Sequence, residues 1–115
     1  MSGECIFCRI AEGQVPAEKV HEDGELVAFR DIAPKAPTHI IIVPRLHIPT
    51  LNDLKPDHAP LIGRMFLLGK QLAAQEGVEK KGYRLVFNCN AAAGQSVWHI
   101  HLHLLGGRDF QWPPG

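Results

Sequence analysis

The sequence lacks long apolar runs, clusters of basic residues and net charge. None of its segments approaches the ~18 consecutive apolar residues that a membrane-spanning helix needs. Its 12 Lys+Arg residues balance 12 Asp+Glu residues, and the basic residues neither form runs nor alternate with aromatic ones. A protein that follows a nucleic-acid backbone needs several clustered cations. We therefore expect neither nucleic acid nor a membrane as partner, although a single phosphate group remains a candidate ligand.

An export signal and a disulfide framework are also missing. Residues 1–4 do not begin a charged-then-apolar leader pattern, so we expect a cytoplasmic protein. The three cysteines are an odd number: Cys5 and Cys8 form a Cys-x-x-Cys pair, and Cys89 stands alone. Such a pair in an unexported chain favours a metal or redox site. Tetrahedral zinc would need two more ligands, for which His47 and His99 are candidates; a redox pair and two buried thiols remain alternatives.

Residues 98–105 hold the most unusual pattern, three histidines that alternate with apolar residues. Successive side chains of a strand point to opposite faces, so we predict that His99, His101 and His103 share one face and that the residues between them face a core. Imidazoles on one face can bind a metal, or they can supply a nucleophile or an acid-base group near pH 6.5. A half-exposed strand that happens to carry histidines is the third explanation.

Turn residues and apolar periodicity predict an α+β fold in one domain, residues 1–115. The first half of the chain is predicted to form a short helix at 5–12, strands at 19–22 and 25–30 joined by Asp23-Gly24, a loop at 31–37 and a buried strand at 38–43. A long helix is then predicted at 57–76, with Asp57 as its N-cap and Gly77 as its stop. A strand at 83–90, a turn at 91–95 and the strand of the three histidines at 98–105, which we call the histidine strand, complete the prediction. Short connections favour antiparallel neighbours. We therefore expect a five-stranded antiparallel sheet with the long helix on one face.

The long helix carries two apolar stripes. They consist of Leu61, Met65, Leu68 and Leu72, and of Ile62, Phe66, Gly69 and Ala73. Together they cover a face wider than contact with one sheet requires. They therefore predict either a deeply buried helix or a helix whose second stripe covers a dimer interface.

Three further polar features accompany the histidines. Backbone N–H groups and side chains of the turn Gly94-Gln95-Ser96 can hold an anion beside the imidazoles. Asn88 would lie on the histidine side if its strand pairs with the histidine strand, where its amide can donate to phosphate oxygen. Asp31 follows a strand, and its carboxylate can accept two sugar hydroxyls. Each feature also has an ordinary explanation, respectively a common turn, a solvated Asn and a loop-capping Asp.

Several of these segments together resemble the histidine triad (HIT) superfamily. The run His-Ile-His-Leu-His-Leu-Leu at 99–105 fits its signature, and Gly-Gln-Ser-Val at 94–97 stands before it as in that family. Segments 31–34, 37–47 and 106–108 also match, so the resemblance covers essentially the whole chain. The turn at 94–97 and the Trp-Pro-Pro-Gly tail at 112–115 are most similar to the Hint branch, the nucleotide-binding phosphoramidases.

The resemblance implies a HIT-like five-stranded antiparallel sheet with one long and one short helix, paired across a homodimer. It also implies that the chain binds purine nucleoside monophosphates and their phosphoramidates, and that it cleaves at the α-phosphate through a covalent nucleotidyl-histidine intermediate. The implied products are AMP and an amine. The matching catalytic positions are His101 as the nucleophile, His103 and Ser96 at the phosphate or leaving group, and His39 as an orienting histidine. The matching nucleotide-binding positions are Phe7, Ile10, Phe29 and Ile32 around the base, Asp31 at the ribose, and Asn88, Gly94, Gln95, Ser96, His101 and His103 near the phosphate.

The resemblance also bears on metal and on specificity. In other bacterial-type branches, Cys5, Cys8, His47 and His99 match a structural zinc site, whereas catalysis is implied to need no cofactor. The tail with Trp112 is implied to reach the partner's site in the dimer. Other possible functions are dinucleoside polyphosphate hydrolysis or nucleotidyl transfer, a zinc enzyme with the three clustered histidines as ligands, and a non-catalytic nucleotide-binding scaffold.

Overall fold

A computed structural model describes residues 4–115, so the expectation drawn from residues 1–4 falls largely outside the described range. Within that range, the chain forms two α-helices and five strands. In chain order these are α1 (Ile6–Ala11), β1 (Lys19–Glu22), β2 (Leu26–Arg30), β3 (Thr38–Pro44), α2 (Ala59–Gln75), β4 (Tyr83–Phe87) and β5 (Leu102–Gly106). No helix in this part of the chain is long and apolar enough to cross a membrane.

The five strands form one antiparallel sheet, as predicted, and their order in the sheet is β1-β2-β3-β5-β4. β3 lies at its centre, and all seven of its residues are buried. Its β-branched side chains pack on both faces of the sheet, which explains the absence of polar alternation in this strand. In the register, His103 of β5 stands between Ile41 of β3 and Val86 of β4.

Two hydrophobic clusters cover the two faces of the sheet. On one face, α2 buries Met65 and Leu72 against a cluster that includes Ile40 and Ile42 of β3. On the other face, α1 contributes to a smaller cluster built from Phe7, Ile10, Ala11, Val27, Phe29, Ile41 and Val43. Burying an aliphatic or aromatic side chain contributes about 1.5–3 kcal/mol, so both clusters stabilise the sheet. The smaller cluster also holds α1 beside the histidines.

Packing against the sheet buries the whole first apolar stripe of α2 but only part of the second. The first stripe faces the core, with Leu61, Met65, Leu68 and Leu72 all buried. In the second stripe Gly69 approaches the sheet so closely that a Cβ there would lie 2.9 Å from Leu85, whereas Phe66 stays 42% exposed. Phe66 lies beside the edge strand β4, where its ring is 5.9 Å from that of Phe87. The prediction of a deeply buried helix is therefore wrong for the part of the second stripe around Phe66.

Three predicted boundaries are wrong. The strand predicted at 83–90 ends at Phe87. Residues 98–101 do not belong to β5, because Ile100 N–H donates to the Ile48 carbonyl at 2.8 Å instead of entering the sheet ladder. The long helix begins at Ala59 with His58 as its N-cap, because Asp57 lies inside a short 3₁₀ turn that spans Pro56–His58. The predicted stop at Gly77 is confirmed, where φ is +76°.

Candidate active site and metal centre

A cavity of about 330 Å³ lies between α1 and the sheet, and we call it the histidine cavity. Eight of the predicted site residues line it, namely Phe7, Ile10, Phe29, Asp31, Ile32, Ser96, His101 and His103. The remaining wall was not predicted from the sequence, and it consists of Ile6, Val15, Pro16, Ala17, Arg30, Ile41 and Val97. The pairing of β3 with β5 could have found Ile41, since that residue stands opposite His103. The cavity is mainly apolar, with its imidazoles and one carboxylate at its polar side.

His101 is buried, and its protonation is fixed by a backbone contact. Its Nδ1 lies 2.8 Å from the His99 carbonyl oxygen, which can only accept, so Nδ1 carries the proton. Burial lowers the pKa of His101 from its ordinary value of 6.5, which favours the neutral ring at pH 7. The lone pair then belongs to Nε2. A neutral imidazole with one fixed proton and one free lone pair is suited to nucleophilic attack.

A chain of contacts sets the protons on His39 and His103. The Lys35 backbone N–H donates to His39 Nδ1 at 3.0 Å, so the proton of neutral His39 is on Nε2. That Nε2 lies 2.9 Å from His103 Nδ1 and 3.4 Å from a carboxylate oxygen of Asp31. If His39 donates to His103 Nδ1, the free position of His103 is an N–H donor. Burial lowers the pKa of His39, and it lowers that of His103 to about 4.

The same contacts make Asp31, His39 and His103 a poor metal site, although their ligand atoms lie within 4.8 Å of one another. A metal would need the lone pair of His39 Nε2, and that nitrogen holds the proton while Nδ1 accepts from Lys35. The three clustered histidines do not share one metal either. His99 Nε2 faces the Pro44 carbonyl at 2.7 Å, whereas the rings of His101 and His103 pack together at 4.9 Å.

Cys5, Cys8, His47 and His99 come together as a second group, which we call the metal centre. Their ligand atoms all lie within 4.8 Å of one another. His99 Nδ1 is 3.3 Å from Cys5 Sγ, 3.5 Å from Cys8 Sγ and 3.1 Å from His47 Nδ1. A tetrahedral zinc ion with bonds of about 2.0–2.3 Å separates its ligand atoms by about 3.3–3.8 Å. The two separations between His99 and the cysteines fall in this range and that between His47 and His99 is slightly shorter, so the four residues fit zinc in both chemistry and spacing.

The surroundings of the metal centre also suit a cation. His99 Nε2–H donates to the Pro44 carbonyl, so Nδ1 presents a lone pair towards the two sulfurs and the Nδ1 of His47. Burial lowers the pKa of His99 to about 4, so its ring is neutral near pH 7 and Nδ1 keeps a lone pair for a cation. Burial, together with Cys5, raises the pKa of the Cys8 thiol to about 11. A bound cation would stabilise the thiolate instead.

Four other predicted site residues do not line the histidine cavity. Gln95 is buried, and its amide accepts from the Asn90 N–H and donates to the carbonyls of Pro49 and Val97. Gly94 ends a short 3₁₀ turn with a φ of +90°. His39 lies behind His103, and half-buried Asn88 follows the end of β4. Their direct roles at a nucleotide stay predictions.

Comparison with known proteins places these features in context. A family model described as scavenger mRNA decapping enzyme C-term binding matches residues 4–111. The purine nucleoside phosphoramidase of Escherichia coli K12 is 48% identical over 108 residues, which are 94% of this chain and 91% of that protein. A HIT family hydrolase from Legionella pneumophila superposes with a TM-score of 0.96 at 54% identity, covering 97% of this chain and 100% of that one. A zinc-bound histidine triad protein from Mycobacterium smegmatis gives 0.81 at 29% identity, covering 95% and 78%.

Proposed function

This chain belongs to the histidine triad family, and we propose that it is a purine nucleoside phosphoramidase that releases AMP and an amine. The observation that carries the proposal is the state of His101. The ring lines a cavity of nucleoside size, its Nδ1 proton is held by the His99 carbonyl, and its Nε2 lone pair is free. Such a group attacks phosphorus without prior loss of a proton.

The walls of the histidine cavity divide into a part for the nucleoside and a part for the phosphate. Phe7, Ile10 and Phe29 are buried apolar side chains that suit the faces of a purine base. Asp31 accepts the Ala33 N–H through Oδ1 at 2.8 Å, and its Oδ2, which lies 3.4 Å from His39 Nε2, keeps a lone pair for a ribose hydroxyl. The phosphate then lies among the imidazoles and Ser96. In this arrangement, apolar side chains contact the base, a carboxylate binds the ribose, and the imidazoles and a hydroxyl bind the phosphate.

The reaction has two displacements at phosphorus. In the first, His101 Nε2 forms a bond to phosphorus while the P–N bond to the amine breaks, and the departing nitrogen receives a proton relayed through the Ser96 hydroxyl. In the second, water forms a P–O bond, the bond to Nε2 breaks, and the water proton leaves to solvent. The ring is cationic between the two steps, because Nδ1 keeps its proton. The His99 carbonyl, at 2.8 Å from Nδ1, stabilises that charge.

Donors on the phosphate side stabilise charge on the non-bridging oxygens. The free N–H of His103 can donate there, because His39 occupies the other ring nitrogen at 2.9 Å. A well-placed donor of this kind is worth about 3–4 kcal/mol at the transition state. His39 then acts as a positioning residue that keeps His103 in the donor tautomer. Neutral forms of His39 and His103 suit this site, because a positive charge on either ring would repel the cationic ring of the His101 intermediate.

The metal centre lies outside these steps. We propose that Cys5, Cys8, His47 and His99 hold a structural zinc ion, which ties α1 to the segments around it. The donor set of two sulfurs and two imidazole nitrogens supports zinc, and no ligand position is left for substrate. Zinc thiolates require reduced cysteines, which is the reason for proposing a cytoplasmic location.

We also propose that two copies of the chain form a homodimer through α2 and β4. Phe66 is 42% exposed and Leu67 is 65% exposed on the surface of α2. Every residue of β4 is only partly buried, and the far edge of this strand has no neighbour within the described sheet. A second copy would cover the exposed aromatic and aliphatic groups and could extend the sheet at its open edge.

Replacing Phe66 with Asp should convert the dimer to a monomer, because a carboxylate would be buried at the interface. Sedimentation should give the mass of two 12.7 kDa chains for the wild type and of one for the variant. Leu46→Asp is the matched control, since Leu46 is 54% exposed but lies outside α2 and β4. A wild-type chain that sediments as a monomer, or a dimer that Leu46→Asp disrupts equally, would contradict the proposed interface.

The function is tested by comparing the rates of three reactions at equal substrate concentration. We expect the protein to release the amine from an adenosine 5′-phosphoramidate faster than it cleaves a diadenosine polyphosphate or transfers AMP to a second nucleophile. Faster cleavage of the polyphosphate would replace phosphoramidase with the hydrolase alternative. AMP binding without cleavage of any of these compounds would instead establish a nucleotide-binding scaffold. Calorimetry with AMP separates that last outcome from a protein that does not bind nucleotides.

A further inference from the structure

We propose that the metal centre positions the nucleophile, so that loss of the metal lowers turnover more than it weakens nucleotide binding. This inference rests on the proposed function, since it concerns the same His101. The four ligands Cys5, Cys8, His47 and His99 do not contact the phosphate site directly. Two structural links connect them to His101: the main chain of His99 and the ring of Phe7.

The first link is His99, which is completely buried and held on every side. Its Nε2–H donates to the Pro44 carbonyl at 2.7 Å, and its Nδ1 faces the sulfurs of Cys5 and Cys8. Its own carbonyl accepts the Nδ1–H of His101 at 2.8 Å. Because metal ligation fixes the His99 ring, it also fixes the carbonyl that sets the tautomer of His101.

The main chain around His99 has little other support. Residues 98–101 precede β5 and therefore lack the ladder hydrogen bonds of the sheet. The N–H of Ile100 donates to the Ile48 carbonyl at 2.8 Å, one residue beyond the ligand His47. Both segments joined by this hydrogen bond thus carry a metal ligand. Without the metal, the position of the His99 carbonyl depends on few contacts.

The second link is Phe7, which lies between the two cysteines of the Cys-x-x-Cys turn. Its ring centroid is 4.9 Å from that of His101 and 6.0 Å from that of His99, with an edge-to-face arrangement in both pairs. It also meets Phe29 at 5.5 Å. A shift of the cysteine turn would therefore move a side chain that packs against the nucleophile and forms part of the cavity wall.

The metal centre can be reached while the chain is folded. A second cavity, of about 450 Å³, is lined by Cys5 and His47, and it shares Ile6, Ser96 and Val97 with the histidine cavity. A chelator can therefore approach two of the four ligands from solvent. The metal can thus be removed from the folded protein, and the effect of its removal on His101 can be measured directly.

The test follows His101 by two independent measurements. Nitrogen-15 NMR of labelled histidines reports whether the proton is on Nδ1, and steady-state kinetics separates kcat from KM. In the zinc-loaded protein we expect a single Nδ1–H form of His101. In the chelated protein, and in His47→Gln, we expect a mixture of tautomers and a kcat lower by about 10–100-fold, the usual size of effects that act through a metal's neighbours. We expect KM to change by less than about 3-fold, because Phe29 and Asp31, which also line the histidine cavity, lie outside the cysteine turn.

Met65→Ala is the control for a loss of stability alone, because Met65 is fully buried in the cluster on the opposite face of the sheet. At a temperature where it remains folded, we expect normal kcat and a single His101 tautomer. An equal loss of kcat in Met65→Ala would overturn the proposal, and so would an unchanged His101 signal after zinc removal. If the chelated chain unfolds, His47→Gln, which lacks one of the four ligands, supplies the comparison at a temperature where it remains folded. Failure of the zinc-loaded wild type to cleave phosphoramidates would refute the proposed function. The NMR measurement would still test whether the metal positions His101.

Discussion

Replacing His101 with Asn should abolish cleavage of an adenosine phosphoramidate while leaving AMP binding intact. The variant lacks the Nε2 lone pair that attacks phosphorus, and no other imidazole among residues 4–115 has the same arrangement of a fixed Nδ1 proton and a free nitrogen. Loss of a nucleophile in a covalent mechanism lowers kcat by roughly 10⁵- to 10⁶-fold. The apolar walls and Asp31 that hold the nucleoside are unchanged. Single-turnover kinetics and AMP calorimetry provide the two measurements.

His21→Asn is the matched control for that variant. His21 lies on β1, and its Nε2 pairs with Asp23 at 2.7 Å, outside the histidine cavity. The same chemical change there should leave kcat within about 2-fold of wild type, as is usual for changes away from a site. Rapid quenching of the wild type should also trap AMP on His101, and mass spectrometry of peptides can locate it. Near-normal turnover in His101→Asn would exclude this residue as the nucleophile.

The pH dependence of the wild type should follow from the neutral state of the buried histidines. Burial lowers the pKa of His101, while Asp31 acts in the opposite direction, and it lowers the pKa of His103 to about 4. Protonation removes the nucleophilic lone pair, so activity is lost as pH falls through the folded-state pKa. We therefore expect the acid limb of kcat/KM to lie below 6.5, the ordinary histidine value. An acid limb above pH 6.5 would contradict a nucleophile that burial keeps neutral.

The sequence predicted the sheet better than the ends of its strands. The apolar run at 38–43 identified the central strand because buried β-branched residues leave a strong local signal. The alternation in residues 98–105 has the same strand signal, yet β5 begins only at Leu102. Tertiary contacts decide that boundary, since Ile100 N–H pairs with Ile48 and His99 faces the cysteines. Nothing in the local pattern separates His99 from the other two histidines.

The sequence predicted part of the lining of the histidine cavity, but not the positions of the protons on its imidazoles. The histidine pattern and the family resemblance placed His101, His103 and Asp31 at one cavity, and the structure brings them together. The Lys35 N–H that sets the tautomer of His39 is a backbone group, so the identity of residue 35 carries no signal for it. Residues 15–17 of the cavity wall were also missed, because they lie in the connection between α1 and β1. The sequence of such a connection does not indicate which residues it packs against in the folded chain.

Stability should depend strongly on the metal centre. Cys8 is 4% exposed, so replacement of its sulfur by a hydroxyl removes a ligand from a buried site and leaves the remaining ligands without their common ion. A ligand at about 100 times its Kd stabilises the folded state by about 2.7 kcal/mol. Structural zinc sites contribute to folding directly, because the unfolded chain does not present the four ligands together. The expected loss is therefore large compared with that from an ordinary cysteine substitution.

Cys8→Ser should lower the zinc content from one per chain to nearly none and reduce the unfolding free energy by about 3 kcal/mol, equivalent to roughly 10 °C in Tm. Cys89→Ser is the matched control, because it makes the same chemical change at a half-buried cysteine that does not belong to the centre. It should keep its zinc and lose far less stability. Elemental analysis and calorimetry of both variants measure these effects. Equal Tm values for the two variants, or a zinc-free wild type prepared without chelator, would refute a structural metal, whereas a selective loss in Cys8→Ser would establish that the cysteine pair stabilises the fold through zinc.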